Sequence, residues 1–278
     1  MKCYDHVIVG GGVAAASAAQ TLRAEGGRGS ILLLAAEPQL PYHRGSLSKS
    51  FLSSASPESA RWVMDAAGYE RLGIEVRIGA AVSSVQPAQR RLCVETGEEI
   101  GYGQLLLATG ASAQRLEIPG AALAGVHVLH TLADAQALRA GALQARRAVV
   151  VGGSFVGLEV AAALRQRGLP VTLIEQGALL ESLALPEFSA HLLATLEQQG
   201  VEVLLGDEPL RFHGRAAVEG VTTRGGLRLD CDLVLLGVGV RPNTGFLRGS
   251  GIRFDRLCCI SQNAKRSCQR AAVSFCDE

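Results

Sequence analysis

Two similar stretches of the chain constrain its fold more than any other feature. Residues 6–22 read HVIVGGGVAAASAAQTL, and residues 148–164 read AVVVGGSFVGLEVAAAL. In each stretch a short apolar run leads through a glycine-rich turn into an alanine-rich segment. Runs of this kind are typical of a buried parallel strand followed by a helix. The repetition indicates two copies of one strand–turn–helix unit, and therefore an α/β fold.

The first copy carries the spacing that a dinucleotide site requires. Gly10 permits the tight turn, Gly12 lets a pyrophosphate approach the backbone, and the small Ala15 lets the helix pack on its strand. The helix, which we expect to end near Glu25, offers free N–H groups and a positive dipole to the phosphates. A second strand, ILLLAAE, ends at Glu37, where a carboxylate accepts hydrogen bonds from a ribose diol. The cofactor-binding residues predicted in this copy are Gly10, Gly11, Gly12, Val13, Ala14, Ala15 and Glu37.

The second copy repeats this plan with one departure. Gly152 and Gly157 hold the outer motif positions, but Ser154 stands where glycine gives the closest approach to the pyrophosphate. We expect its small hydroxyl to weaken binding rather than abolish it. The helix is predicted over 155–167, and the strand VTLIE ends at Glu175, whose charge repels a 2′-phosphate and favours NADH over NADPH. The cofactor-binding residues predicted in this copy are Gly152, Gly153, Ser154, Phe155, Val156, Gly157 and Glu175.

A lone carboxylate, Glu159, stands in the second helix among apolar neighbours. The residues three or four positions away share its face of the helix, and all of them are apolar: Phe155, Val156, Ala162 and Ala163. An unpaired carboxylate on a buried or half-buried face is costly. The pattern therefore predicts a cationic or hydrogen-bonding partner for Glu159.

Composition and charge exclude several other classes of protein. Among 278 residues, 27 Lys plus Arg stand against 26 Asp plus Glu, which gives no electrostatic basis for binding nucleic acid or an anionic membrane surface. No apolar run reaches the roughly 18 residues that span a bilayer. The first residues do not read as a signal peptide, so we expect a cytoplasmic protein. The seven cysteines form no CxxC or CxxxxC pair and no histidines have metal-ligand spacing, so neither a redox dithiol nor a metal site is predicted.

Five stretches, in order, resemble the two-dinucleotide flavoprotein reductases of the pyridine nucleotide-disulphide oxidoreductase superfamily. The likeness is greatest to the ferredoxin, rubredoxin and putidaredoxin reductase group and to the apoptosis-inducing-factor-like proteins. The stretches run from residue 5 to about 254 and are VIVGGGVAAASAA, AEPQLPYHRGSLSKSFL, LLLATGA, VVVGGSFVGLEVAAAL and DLVLLGVGVRPNTGFLRGSGI. The resemblance implies two Rossmann-like dinucleotide-binding domains, one for FAD and one for NADH. We expect the first part of the FAD domain over 1–115, the NAD domain over 116–240 and the start of a return to the FAD domain over 241–254.

The resemblance also implies roles for residues at matching positions. PYHRGSLSK is similar to the family's P-Y-x-R-P-P-L-S-K, with Gly45 and Ser46 in place of two prolines, so this loop is expected to be less rigid. Lys49 corresponds to the lysine beside the reactive edge of the flavin, and the family pairs it with the residue that matches Glu159. These two are the predicted catalytic residues, with Lys49 stabilising negative charge on the flavin and Glu159 orienting Lys49. The further cofactor contacts that the resemblance implies are Arg44 at FAD, Val82 at the adenine, Thr109 and Gly110 at the crossover between domains, and Gly237 and Gly239 at the nicotinamide.

The predicted activity follows from these two cofactors. Electrons pass from NADH to FAD as a hydride, and then singly to a small electron-transfer protein of the ferredoxin, rubredoxin or Rieske type. Residues 38–55 contain no cysteine, whereas disulphide reductases of the superfamily carry CxxxxC beside the flavin, so dithiol chemistry is not expected. Two alternatives stay open. One is the NADH-oxidising module of a nitrite or quinone reductase, and the other is a nucleotide-binding protein without turnover or an inactive fragment.

Two further segments carry predictions. A surface helix is predicted over 57–72, begun by Ser56 and Pro57, with Trp62 as a packing residue. From residue 255 the sequence reads DRLCCISQNAKRSCQRAAVSFCDE, which holds four cysteines and lacks the Gly-Asp that the resemblance leads one to expect. We interpret 255–278 as an aberrant tail and the FAD domain as incomplete. Weak retention of flavin and a tendency to aggregate or oligomerise are the expected consequences; no oligomeric state is predicted.

Overall fold

The computed structural model of the protein describes residues 1–54 and 60–252. By their contacts these residues divide into two compact units. The first unit contains residues 1–43, 61–112 and 241–252, and the second contains residues 44–54, 60 and 113–240. Residues 44–54 therefore belong to the second unit, although the sequence suggests that they continue the first domain.

Helices and strands alternate in both units. Among the described residues the strands are, in chain order, β1 (Lys2–Val9), β2 (Ile31–Leu34), β3 (Ile74–Arg77), β4 (Val82–Gln86), β5 (Arg91–Val94), β6 (Glu99–Leu107), β7 (Ala111–Ala113), β8 (Val126–Val128), β9 (Ala148–Val151), β10 (Val171–Glu175), β11 (Val201–Leu205), β12 (Pro209–His213), β13 (Gly220–Thr223), β14 (Arg228–Asp230), β15 (Leu233–Leu236) and β16 (Val240–Pro242). The helices are α1 (Val13–Ala24), α2 (Ser50–Ser53), α3 (Ala66–Arg71), α4 (Leu132–Gln144), α5 (Phe155–Gln166) and α6 (Pro186–Gln198). The longest of them have 13 residues, too few to cross a bilayer.

The first unit is built on a six-stranded sheet in the order β3-β2-β1-β6-β5-β4. Strands β3, β2, β1 and β6 are parallel, and β5 and β4 are added antiparallel. Every residue of β2 is buried. Leu32 and Leu34 pack with side chains of β4 and β5, whereas Ile31 and Leu33 pack on the opposite face against α1 and α3. The sheet is covered on both faces, which is why β2 reads as a continuous apolar run rather than an alternating one.

The second unit is built on a five-stranded parallel sheet in the order β11-β10-β9-β15-β8. Strand β9 lies at its centre, and all four of its residues are buried. A separate antiparallel sheet of β12, β13 and β14 packs its apolar side chains against one face, where Phe212 and Val221 join Val149 and Val234. Strands β7 and β16 form a two-stranded sheet of their own.

The two parallel sheets share a topological feature that locates a ligand site. β1 lies between β2 and β6, and β9 lies between β10 and β15, so successive connections leave each central strand on opposite sides. In open α/β sheets this switch of direction opens a crevice at the carboxyl ends of the strands. Both glycine-rich turns begin at this point, directly after β1 and β9.

The α/β fold and the two strand–turn–helix repeats predicted from the sequence are confirmed, with α1 and α5 ending within one residue of the expected positions.

The predicted helix over 57–72 is wrong. Of residues 60–72, which the structure describes, only Ala66–Arg71 is helical, because the Asp65 side chain accepts a hydrogen bond from the Gly68 N–H at 2.7 Å and caps the helix start. Trp62 packs edge-on against Tyr42, with ring centroids 6.2 Å apart. Ser56, Pro57 and the tail over 255–278 lie outside the described residues.

A charged cluster ties β1 to β3 and to the turn between β5 and β6 in the first unit. The hydroxyl of the buried Tyr4 donates to Glu75 at 2.7 Å and accepts from Arg77 at 2.8 Å. Lys2 binds Glu75 at 3.0 Å, and Arg77 also binds Glu98 at 2.9 Å. Burial raises the pKa of Glu75, but the hydrogen bonds from Tyr4, Lys2 and Arg77 outweigh it and hold that pKa at about 2.

Acid should weaken the first unit through Glu75. Because the folded-state pKa lies below the ordinary value of 4.5, the stabilisation is full above about pH 4.5 and is lost as the pH falls towards 2. Glu75 is partly exposed, so we expect about 1 kcal/mol from this residue. Glu75→Gln should flatten the decline in the free energy of urea unfolding between pH 4.5 and 2, whereas the exposed Glu95→Gln should leave it unchanged. An equal decline in wild type and Glu75→Gln would contradict the assignment.

Candidate functional site

The glycine-rich turn of the first unit brings backbone groups into close approach. A Cβ at Gly10 would lie 2.0 Å from the carbonyl oxygen of Ala108, and the φ of Gly10 is +149°, so only glycine fits there. Gly12 precedes α1, and a Cβ at Gly12 would meet no atom within 4 Å. Ala15 is fully buried under the turn. The turn is thus crowded towards the protein and open at Gly12, where free N–H groups of α1 can receive an anion.

Three of the remaining first-unit residues lie at the carboxyl end of the same sheet. Glu37 follows β2, is half-buried and accepts a hydrogen bond from the Tyr42 hydroxyl at 2.7 Å. Val82 opens β4. Thr109 and Gly110 follow β6, and the structure shows what holds them: the Thr109 hydroxyl donates to the carbonyl of Asn243 at 2.9 Å, and the Asn243 amide donates back to the Thr109 carbonyl at 3.0 Å.

The glycine-rich turn of the second unit is tighter than the first. Gly152 has a φ of +107°, and a Cβ there would lie 2.4 Å from the Gly237 carbonyl oxygen. A Cβ at Gly157 would lie 1.9 Å from the Gly152 carbonyl oxygen, and a Cβ at Gly237 would lie 3.3 Å from the backbone of Gly157. Three backbone segments therefore meet at Gly152, Gly157 and Gly237, and Gly239, with a φ of +101°, continues the third segment.

Ser154, the departure from the glycine pattern, ties two of these segments together. It stands at the N-cap position of α5 without making a side-chain capping bond, and its hydroxyl donates instead to the Gly237 carbonyl at 3.0 Å. From the sequence, this hydroxyl is expected only to weaken pyrophosphate binding. Since the hydroxyl is bonded to Gly237, the side chain is drawn towards the loop after β15.

The carboxylate that ends β10 lies against the same turn. Glu175 accepts hydrogen bonds from the Gly153 N–H at 2.5 Å and from the Gly177 N–H at 3.0 Å. The next side chain, Gln176, donates to a second carboxylate, Glu208. Glu208 is in turn paired with Arg224. Glu175 thus stands where the ribose of a bound dinucleotide is expected, which disfavours a phosphorylated ribose by charge repulsion.

Glu159 has the partners that its apolar neighbourhood predicts. Its Oε1 lies 3.6 Å from Nζ of Lys49, and its Oε2 accepts a hydrogen bond from the Ser48 hydroxyl at 2.5 Å. The helix face is less buried than the sequence suggests, because Phe155 is 56% exposed and the Glu159 side chain is 32% exposed. The prediction of a partner is confirmed. Of the two predicted settings, buried or half-buried, the carboxylate is half-buried.

Three arginines fasten the segment that carries Lys49 to the rest of the second unit. The buried Arg139 of α4 donates to the Phe51 carbonyl at 2.6 Å. Arg167, after α5, donates to the carbonyls of Leu52 and Ser54 at 3.1 and 3.2 Å. These carbonyls belong to the last turn of α2 and the residue after it, where helical partners are lacking.

Arg44 is the third of these arginines. It begins the segment, and its guanidinium donates to the carbonyl of His130 at 2.8 Å. The sequence assigns Arg44 only to an FAD contact, and the structure shows that it also holds its own segment in place.

The structure thus brings the predicted residues together in two groups. In the first unit, 10–15, Glu37 and 109–110 lie at the carboxyl edge of one sheet, whereas Val82 opens β4 and pairs with Val94 at the end of β5. In the second unit, 152–157, Glu175, Gly237 and Gly239 line the carboxyl edge of the other, and Lys49 pairs with Glu159. Sequence reasoning did not find Ser48, Asn243 or Arg139. Within residues 1–54 and 60–252, no cluster of three or more His, Cys, Asp or Glu side chains could hold a metal ion.

Comparison with known proteins agrees with this geometry. The family model for pyridine nucleotide-disulphide oxidoreductases matches residues 4–268. The chain belongs to the pyridine nucleotide-disulphide oxidoreductase family. The family resemblance expected from the sequence is therefore confirmed, and the match extends into the predicted aberrant tail.

Several characterised relatives are ferredoxin or rubredoxin reductases. The chain is 37% identical over 262 residues to the ferredoxin–NAD(+) reductase component of the biphenyl dioxygenase system of Paraburkholderia xenovorans, covering 94% of this chain and 64% of that protein. It is 36% identical over 238 residues to the rubredoxin–NAD(+) reductase of Pseudomonas putida, covering 85% and 62%. The chain thus spans less than two thirds of the length of these relatives.

Solved structures give the same picture. The ferredoxin reductase for the CYP199A2 system of Rhodopseudomonas palustris has a TM-score of 0.87 and 32% identity, covering 92% of this chain and 65% of that one. The covalent putidaredoxin reductase–putidaredoxin complex also has a TM-score of 0.87, with 29% identity and coverage of 91% and 62%. Two Rossmann-like units are therefore the shared architecture.

A methyl group should destabilise the protein much more at Gly10 than at Gly12. Gly10→Ala should lower the free energy of unfolding by about 3 kcal/mol, because the methyl would overlap a carbonyl oxygen at a positive φ. Gly12→Ala should lower it by only about 1 kcal/mol, the usual cost of alanine at an N-cap, since the space is open. Urea unfolding followed by circular dichroism measures both. Equal losses would show that the turn is not crowded as described.

Proposed function

We propose that this protein is an FAD-dependent, NADH-linked reductase that passes electrons to a small electron-transfer protein. One observation carries the proposal: each unit has a glycine-rich strand-to-helix turn at the switch point of a parallel sheet, and a carboxylate follows the next strand. Two such sites in one chain suit two dinucleotides, one retained and one exchanged. We place the reaction in the cytoplasm.

The first unit fits FAD. The open space at Gly12 leaves room for a pyrophosphate beside the N-terminus of α1, whose N–H groups and dipole favour negative charge. Glu37 is placed to accept hydrogen bonds from ribose hydroxyls. Bound FAD supplies the chemistry, since a flavin accepts a hydride and releases electrons one at a time. The protein contributes the binding, the orientation and the local charge.

The second unit fits NADH. The N-terminus of α5 receives the pyrophosphate, and Glu175, already turned towards the Gly153 N–H, is placed to exchange that bond for ribose hydroxyls. Glu175 carries the charge that opposes the 2′-phosphate of NADPH, since the neighbouring Glu208 is paired with Arg224. Residues Gly237 and Gly239 present bare backbone at the same edge of the sheet, which suits close approach of a nicotinamide.

Lys49 supplies positive charge at the flavin in this proposal. The family resemblance brings this lysine to the flavin, and the structure shows the ion pair that would orient it. Glu159 holds the ammonium from one side, so that the ammonium remains directed by a half-buried partner. A positive charge held near a bound cofactor favours negative charge on that cofactor.

The acceptor is proposed from the relatives. Their names describe ferredoxin and rubredoxin reductases, and one neighbour was solved as a complex with putidaredoxin. The sequence has no cysteine from 38 to 55, so the chain lacks the dithiol that would pass electron pairs at that position. A one-electron carrier protein is the acceptor that fits both facts.

An anaerobic titration with NADH tests the proposal. Purified protein supplemented with FAD should retain a yellow flavin band after gel filtration, and that band should bleach as NADH is added. Gly12→Ala is the matched control, because its methyl should reduce the flavin retained without unfolding the chain. Complete loss of flavin from the wild-type chain, or a band that NADH does not bleach, would contradict the proposed activity. Flavin retained weakly would agree with the expectation from the incomplete FAD domain.

Cofactor choice should depend on Glu175. Glu175→Ala removes the charge that repels a 2′-phosphate, so the ratio of Kd for NADPH to Kd for NADH should fall about tenfold. Isothermal titration of each nucleotide measures this ratio and does not require bound flavin. Glu197→Ala, which removes an exposed carboxylate at the end of α6, near the opposite end of the sheet, is the control and should leave the ratio unchanged. An unchanged ratio in Glu175→Ala would show that the preference has another source.

A further inference from the structure

Ser48 has a contact that neither the sequence motifs nor the proposed cofactor sites account for. Its side chain is only 6% exposed, and its hydroxyl donates to Oε2 of Glu159 across 111 positions of sequence. The adjacent residue, Lys49, lies against the other oxygen, Oε1, at 3.6 Å. One short stretch of backbone thus offers two donors to the two oxygens of a single carboxylate.

The two donors are held with different firmness. Ser48 is buried on a segment whose neighbours Leu47, Phe51 and Leu52 are also buried. Its hydroxyl reaches through a single side-chain torsion. Lys49 is 58% exposed and has a long, flexible side chain. At 3.6 Å its ammonium is within ion-pair distance but beyond the 2.7–2.9 Å of a strong charge-assisted hydrogen bond.

The carboxylate itself needs a fixed partner. The Glu159 side chain is about one third exposed and could rotate towards solvent. A hydrogen bond from a buried hydroxyl opposes that rotation, and once Oε2 is bonded to Ser48 only Oε1 is directed at Lys49. The firm bond therefore sets the geometry of the looser one.

We infer that Ser48 is a positioning residue: its hydroxyl fixes the carboxylate of Glu159, and through it the ammonium of Lys49. The inference deepens the proposed function, on which it rests for its importance to the flavin. The contacts themselves are a property of the protein without cofactor, so the positioning can be tested separately from the activity.

The first test measures the reactivity of Lys49 in the protein without cofactor. The chain has only three lysines, Lys2, Lys49 and Lys265, so trace acetylation followed by peptide mass spectrometry reads each of them. Acylation requires the neutral amine, so the ammonium must leave its carboxylate and lose a proton. Ser48→Ala should therefore raise the Lys49-to-Lys2 labelling ratio about fivefold, a factor typical of losing one hydrogen bond in a coupled group. Lys2 is paired with Glu75 in the other unit and serves as the internal reference.

Variants separate positioning from general loosening of the segment. Ser50→Ala, at an exposed serine two residues along, should leave the ratio at the wild-type value. Glu159→Gln should raise the ratio, and adding Ser48→Ala to it should raise it no further, because Ser48 acts through that carboxylate. Ser48→Thr, which keeps the hydroxyl, should restore the wild-type ratio where its Tm matches wild type. Additive effects of Ser48→Ala and Glu159→Gln, or a wild-type ratio in Ser48→Ala, would overturn the inference.

The second test applies to protein that retains FAD. Ser48→Ala should lower the rate of flavin reduction at saturating NADH while leaving the Kd for NADH unchanged, and should do so without additivity to Glu159→Gln. A purely structural role would instead lower Tm and loosen NADH binding together. If wild type holds no flavin, the proposed function fails while the acetylation ratios still decide the role of Ser48.

Discussion

The approach of backbone to backbone at the strand ends is the constraint on which the structure depends. In the second unit a Cβ on Gly157 would lie 1.9 Å from a carbonyl oxygen of the preceding turn, and a Cβ on Gly152 would lie 2.4 Å from the carbonyl of Gly237. Helix α5 can start directly over β9 only because these atoms are absent. The same closeness points the first N–H groups of the helix into the crevice at the switch point. The packing requirement and the binding site thus come from one set of glycines.

The two copies of the turn differ in the space around their middle position. In the first copy the middle glycine, Gly12, meets nothing within 4 Å of its absent Cβ. In the second copy the equivalent Ser154 sends its hydroxyl sideways to the Gly237 carbonyl. A serine there does not fill the crevice, because a hydrogen bond within the protein gives its oxygen another direction. The second turn gains a link to the loop after β15 that the first lacks.

Local sequence patterns predict the parts of this fold that local interactions determine. The buried runs of β2 and β9, the starts of α1 and α5, and the need for a partner at Glu159 all follow from periodicity, glycine spacing and the cost of a lone carboxylate. The prediction of a helix over 57–72 was wrong because composition does not reveal that Asp65 is an N-cap, so that the helix begins eight residues later than predicted. Ser48, Arg139 and Asn243 were missed because each acts over a long distance in sequence, 111, 88 and 134 positions, and nothing within a local window marks such a contact. The same reason explains why residues 44–54 join the second unit: arginines of that unit hold their carbonyls.

The choice of cation at position 49 follows from this division of tasks. Of 27 basic residues three are lysines, so 24 are arginines. Around residues 44–54 the arginines bind backbone carbonyls, a task suited to a planar group with five donors that stays protonated. Position 49 has a different requirement. Ser48 already donates to one oxygen of Glu159, and a guanidinium at position 49 would compete for both oxygens. A lysine carries its charge at one compact atom, needs only the free oxygen, and keeps its other donors for a bound anion. In a chain with 24 arginines and three lysines, a lysine beside this carboxylate suits the proposed role of a single positive charge next to a bound anion.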